Sequence, residues 1–167
     1  DSLAKPPSFA VAARTSARGE AEPTAAQTAW CFRAMHLAKY VSSERFSRSR
    51  FSGGLEQLRS LLTHPEQVRH VPRILASMGI RYVIIEHLPK SRMDGAAFWM
   101  SGRIPVIAMS ARMDRIDWFW FTLFPELSHI MHRDQYAPDA DLSEMQKRDS
   151  SEVDDVEKRA NREAAEW

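Results

Sequence analysis

FTLFPELSHIMH, residues 121–132, decides how the second half of the chain is read. With the preceding IDWFWF it forms a long apolar run, and the spacing predicts one helix from about Ile116 to His132, with Asp114 or Asp117 as its cap. Pro125 lies inside that run. A proline there has no N–H to give to the carbonyl of Phe121, and its ring crowds that carbonyl. The cost is about 3 kcal/mol unless the helix kinks or begins there. A second arrangement is open on the same residues: DWFWFTLF as a buried strand, with Pro125 at the first position of a shorter helix.

Glu126 and His129 stand three residues apart within the run. In zinc sites of the His-Glu-x-x-His type, two histidines one helical turn apart point at one metal, and the glutamate beside the first acts as general base. Here Glu126 and His129 hold the base and second-histidine positions, while Pro125 stands where the first histidine would be. A pyrrolidine ring has no lone pair for a metal. His132 lies three residues beyond His129 and does not restore the four-residue spacing. A hydrogen-bonded buried Glu–His pair, or a polar stripe, would use the same residues. His132 and Arg133 also suit the end of a helix, where cations complement the dipole.

Working back from this stretch, RYVIIEHLP (81–89) has the β-branched composition of a strand. GAAFWMSGRIPVIAMS (95–110) reads as a hairpin turning at Ser101-Gly102-Arg103, with Asp94-Gly95 as a turn before it. Pro105 starts the second strand or puts it at an edge. Earlier still, AWCFRAMHLAKYV sets Trp30, Ala34, Leu37, Ala38 and Val41 on one helical stripe. SRSRFSGG breaks the pattern, and LEQLRSLL resumes it as a short helix. HPEQVRHVPRILASMGI is a further helix, with Pro65 in its first turn and Gly79 as its stop. After the central run, residues 134–150 read as a polar loop and SEVDDVEKRANREAAEW as a charged helix. Residues 1–29, rich in Ala, Pro, Ser and Thr, read as a linker or extended arm. The order implies an α+β fold of helices packed on a small antiparallel three-stranded sheet.

The chain has 167 residues, 44% hydrophobic and 27% charged, which suits one domain with a core that needs no covalent staples. It starts at Asp1 and ends at Trp167 within a helical pattern, so a piece of a longer protein is expected, truncated at its C-terminus. A single cysteine, Cys31, excludes an internal disulfide framework and a Cys-rich zinc module. No run approaches the roughly 18–20 apolar residues of a membrane span, and the first residues lack the apolar stretch of a secretory signal. A cytoplasmic location without membrane contact is expected. Residues 30–133 carry 15 Lys/Arg against 8 Asp/Glu, and residues 134–167 carry 5 against 11. The arginines are scattered rather than clustered with aromatics, so this chain is not expected to bind nucleic acid itself.

Three ordered blocks carry a resemblance over Trp30–Trp167. They are MGIRYVIIEHLPKSRMDGAAFW (78–99), PVIAMSARMDRIDWFWFTLFPELSHIMH (105–132) and VEKRANREAAEW (156–167). Together they resemble the ImmA/IrrE family of metallopeptidase-like domains, in particular the branch that follows a helix-turn-helix domain in antitoxin-type bacterial regulators. The resemblance implies a zincin-like fold for residues 30–167, with Glu126 as general base and His129 as the second histidine ligand. The third ligand would be an acid on the last helix, placed at Glu157, with Glu163 and Glu152 as further candidates. The first ligand position is Pro125, where the match fails. Zn2+ held by His129 and Glu157 alone is expected to bind weakly or not at all. The function implied is a regulatory or protein-interaction domain with little or no peptidase activity. The other reading is an active zinc endopeptidase cleaving a protein partner such as a repressor. DNA would be reached only through an upstream domain.

Of the other residues, Trp99, Trp118 and Trp120 are expected in the core rather than in a ligand cage. Ser110 and Arg112 end the last strand and are placed to line a cleft, but no histidine and acid are assigned to make Ser110 a nucleophile. His36, His64 and His70 read as surface or satisfied side chains. His87, at the end of a strand, is the one to examine for a neighbouring carboxylate.

Overall fold

The computed structural model describes residues 12–15, 24–111, 115–133 and 150–167, with 12–15 and 150–154 described as backbone only. The described elements are β1 (Ala12–Thr15), α1 (Ala25–Ala38), α2 (Arg48–Leu61), a 3-10 turn (Pro65–His70) and α3 (Val71–Met78). They continue with β2 (Arg81–Ile85), β3 (Met93–Met100), β4 (Ile104–Ser110), α4 (Ile116–His132) and α5 (Ser150–Glu166). The α+β class holds. No helix among the described residues is long and apolar enough to cross a membrane.

The sheet order is β1-β3-β4-β2. The three strands expected from residues 81–110 are present, but not all antiparallel: β2 runs parallel to β4, from Arg81 opposite Val106 to Ile85 opposite Ser110. β1, from the segment read as an arm, adds a fourth strand antiparallel to β3. Asp94-Gly95 is not a turn; it lies inside β3, where the register against β1 shifts between Arg14 and Thr15. The hairpin turns where expected. Ser101 and Gly102 take positive φ of 51° and 64°, and the Arg103 N–H donates to the Met100 carbonyl at 3.1 Å.

Side chains alternate across the sheet with period two, so each strand supplies both faces. Ala97, Trp99, Ile107 and Met109 face a cluster built with α2, α3 and α4. Ala96, Phe98, Val106 and Ala108 face a second cluster built with Trp30, Cys31, Ala34 and Ala38 of α1. The sheet is therefore covered on both sides, which explains its near-continuous apolar strands.

Helix boundaries follow local chemistry in most places. Thr24 caps α1 in a reciprocal box with Gln27, satisfying two otherwise orphaned N–H groups. Gly79 ends α3 in the left-handed conformation with φ 90°, as its place in the sequence implies. The helix expected over residues 64–80 is divided, because Pro72 opens α3 and separates it from the 3-10 turn. SRSRFSGG does not break the chain; it is the first half of α2, capped by Ser47. A Cβ on Gly54 would lie 2.1 Å from Met78 Cγ, so the glycine that weakens the helix locally is what lets α2 and α3 approach.

Candidate functional site

α4 is one continuous helix from Ile116 to His132 with Pro125 inside it; the strand-then-short-helix alternative is not adopted. Leu123, Leu127 and Ile130 are fully buried, and burial of this face outweighs the local cost of the proline. The Thr122 hydroxyl donates to the Trp118 carbonyl at 3.0 Å one turn earlier, a side-chain bond of the kind that accompanies bending. The cap is Arg115, with no side-chain cap bond; Asp114 lies outside the described residues. Asp117 is in the first turn instead, holding Arg115 at 2.6 and 3.1 Å. The Arg115 side-chain hydrogen bond keeps its carboxyl below the usual aspartate range, and a carboxylate there suits the helix N-terminus.

The chemistry-bearing residues of α4 lie in its second half. Glu126 is wholly buried and His129 is 2% exposed. Glu126 packs against the backbone of β3: a Cβ on Gly95 would sit 2.9 Å from Glu126 Oε1 and 2.7 Å from Thr122 Cγ2. The Asp94-Gly95 pair thus belongs to the surroundings of Glu126, and glycine is needed because helix and strand touch there. On the other side, α5 brings Glu157 to His129, with Oε1 3.3 Å from Nε2. Two α4 side chains converge on Glu163: Ser128 Oγ donates to Oε2 at 2.5 Å, and His132 Nε2 lies 2.8 Å from Oε1. Arg133, in the left-handed conformation that ends α4, stacks over Trp99 at 4.1 Å and ties the helix end to the hairpin.

Of the residues picked from sequence, Glu126, His129 and Glu157 are brought to one end of α4. Glu163 is engaged by Ser128 and His132, and the side chain of Glu152 lies outside the described residues. Ser128 was not singled out. Its spacing of four from His132 puts both on one face, and that was the available signal.

The separation of 3.3 Å between His129 Nε2 and Glu157 Oε1 suits a direct charged contact. It also suits two donors on one tetrahedral ion, since bonds of about 2.05 Å place ligand atoms about 3.3 Å apart. Pro125 supplies no donor, so among the described residues this contact offers two. No group of three or more His, Cys, Asp or Glu side chains that could hold a metal occurs among the described residues. His129 and Glu157 by themselves are one ligand short of a catalytic zinc site, which takes three protein ligands and leaves a fourth position open.

The remaining candidates separate by exposure. Trp99 and Trp120 are core residues, 8% and 7% exposed, whereas Trp118 is 47% exposed and corrects the expectation. It shares an outward face of α4 with Phe121, three residues on. Ser110 is buried and lines a 140 Å3 cavity with Tyr82, Ile84, Met109 and Phe119; Arg112 lies outside the described residues. A larger groove of 470 Å3, bounded by Pro65, Val68, Tyr82, Ile84 and Phe119 among others, includes neither an acid nor a histidine among the described residues. Neither concavity is lined by Glu126, His129 or Glu157. His87 is exposed beyond the end of β2. The polar loop expected at 134–150 falls outside the described residues up to 149.

Set against protein-family models, curated proteins and solved structures, the chain has no significant match in any of the three.

Proposed function

We propose that this chain is a metallopeptidase-fold domain of the ImmA/IrrE type, serving a transcriptional regulator of the antitoxin kind through protein interaction rather than peptide cleavage. The observation that supports it most is the arrangement around the end of α4. Glu126 is buried against β3 and His129 meets Glu157 of α5 at 3.3 Å, while the position one residue before Glu126 is a proline. The residues that the resemblance implies as base, histidine ligand and helix-borne acid thus lie on or against the second half of α4, with one ligand position held by a side chain that cannot coordinate. What remains is a polar contact between two helices, which fixes α5 on α4. The protein partner is reached from this domain, and DNA through a domain upstream of it.

Metal content tests this reading. Zinc would be measured by atomic absorption on the purified chain, on Pro125→His and on Pro125→His combined with His129→Ala. The expected result is far less than one zinc per chain in the parent, about one in Pro125→His, and its loss again in the double variant. Stoichiometric zinc in the parent, together with proteolysis abolished by Glu126→Gln, would establish a zinc endopeptidase instead. No zinc in Pro125→His would overturn the assignment of His129 and Glu157 to one metal position.

A further inference from the structure

α4 packs over β3 and β4, and α3 packs over β2. β2 stands at one end of the sheet order, and the two helices leave part of its face open between them. Tyr82 and Ile84 lie two apart on that strand and share this face. Tyr82 packs against the core cluster beneath α2, α3 and α4, while Ile84 is 58% exposed. Both line the 470 Å3 groove, together with Pro65 and Val68 of the 3-10 turn and Ile116 and Phe119 of α4. The 140 Å3 cavity shares Tyr82, Ile84 and Phe119 with the groove and extends to Met109, so the two concavities adjoin in one trough. Within the shared wall the Tyr82 hydroxyl donates to Met109 Sδ at 3.6 Å, a weak acceptor that leaves much of the hydroxyl's bonding capacity unused.

The charge of the groove is one-sided. Its charged lining residues, among those described, are Arg69 and Arg115. The two are not equivalent. Arg115 is held by Asp117 at 2.6 and 3.1 Å and is neutralised in place. Arg69 is exposed on the 3-10 turn, and the acid nearest to it in sequence on that turn, Glu66, sits 3.6 Å from His64 Nδ1.

We propose that this trough binds a small amphipathic organic acid, an apolar ring system or chain carrying one carboxylate, with Arg69 as the counter-charge. Small-molecule sites have volumes of about 300–1,000 Å3, an apolar lining and a few polar groups that fix orientation, and the groove has all three. One anionic head matches the one lining arginine without a bonded carboxylate. Arg69 and the Arg115–Asp117 pair also interrupt the apolar lining, which favours a small occupant over a protein interface of about 800 Å2 per partner. The inference is independent of the metallopeptidase reading, because Glu126, His129 and Glu157 do not line the trough.

The test uses the full chain and the fluorescence of anilinonaphthalene sulfonate, an apolar ring system with one anionic group. Decanoate and decanol, which share a chain and differ in the charge of the head, are the competitors. The parent should bind the probe saturably at one site, with decanoate displacing it at least about tenfold more effectively than decanol. Arg69→Gln should erase that difference by weakening decanoate alone. Ile84→Glu should weaken the probe and both competitors at least about tenfold, because it puts a second charge among apolar walls. Ile84→Thr keeps a β-branched residue in the strand and should weaken all three by a smaller factor. Phe121→Ser, on the outward face of α4, should change none of them. Near-UV circular dichroism of each variant separates lost binding from lost fold. No saturable binding by the parent would overturn the site. An unchanged preference for decanoate in Arg69→Gln would remove the counter-charge on which the ligand class rests. Loss of the probe in Phe121→Ser, with none in either Ile84 variant, would move the apolar site to the outer face of α4. A parent dimer that binds no probe and that Ile84→Glu separates would give the groove to a second copy, against the proposal.

Discussion

At Gly95 a single hydrogen atom decides how close α4 can come to the sheet. A methyl group there would meet Thr122 Cγ2 at 2.7 Å and Glu126 Oε1 at 2.9 Å, and both neighbours are held within buried α4. Gly95→Ala is expected to destabilise the protein by about 1–3 kcal/mol, the usual cost of forcing atoms into a filled interior. Shortening the obstruction with Thr122→Ser should recover part of the loss, because the offending methyl is the one removed. Urea midpoints of the parent, the two single variants and the pair measure this; strict additivity of the two changes would show that the contact is not the cause. The sequence announced Glu126 and His129 by their spacing on an apolar helix, and gave Asp94-Gly95 only as a turn. It did not announce that the glycine and Glu126 touch. That contact joins residues 31 apart in sequence, and no periodicity encodes such a distance.

Whole elements were legible where local chemistry and tertiary packing agree, and misread where they conflict. Gly79, Ser101-Gly102 and the β-branched run at 81–85 act as their types predict, because backbone conformation alone determines those roles. Gly53-Gly54 read as a break, and Pro125 left a strand followed by a shorter helix open beside the single helix, yet α2 and α4 run through them. In both helices the buried faces supply the free energy that the local residue withholds: Phe51, Leu55, Leu58 and Leu61 in α2, Leu123, Leu127 and Ile130 in α4. The parallel pairing of β2 with β4 was not legible either, since a half-covered antiparallel strand and a fully covered parallel one differ mainly in what packs on them. The hairpin keeps one local strain. Ser101 has a φ of 51°, which a side-chain-bearing residue reaches at a cost that asparagine and glycine largely escape. Ser101→Asn creates the Asn-Gly pair favoured in such turns and is expected to stabilise by about 0.5–1 kcal/mol. A denaturation midpoint equal to or below that of the parent would count against the turn geometry.

On the scale of the molecule, a sheet covered on both faces carries ionisable groups into its apolar layers. Cys31 belongs to the layer under α1, and Tyr82 packs against the layer under α2, α3 and α4. Burial pushes the Cys31 thiol from 9.0 up to about 12, and it moves the Tyr82 hydroxyl upward as well. The sign of the consequence is fixed by linkage. Below about pH 9 both the folded and the unfolded chain hold the Cys31 proton, and burial of the neutral thiol carries no electrostatic cost. As pH rises from 9.0 toward about 12, the unfolded chain releases that proton while the folded chain retains it. Folded stability therefore falls across this window. At a pH about 1.5 units into the window the loss from Cys31 is on the order of 2 kcal/mol, taking about 1.4 kcal/mol per unit, and Tyr82 adds to it at still higher pH. Urea unfolding at about pH 8, 9.5 and 10.5 should show the midpoint declining in the parent. Cys31→Ala, itself less stable at pH 8 through lost packing, should decline less steeply over the same range. Parallel lines for the two proteins would mean that the thiol is not sealed beneath α1, and that the second apolar layer is open to water.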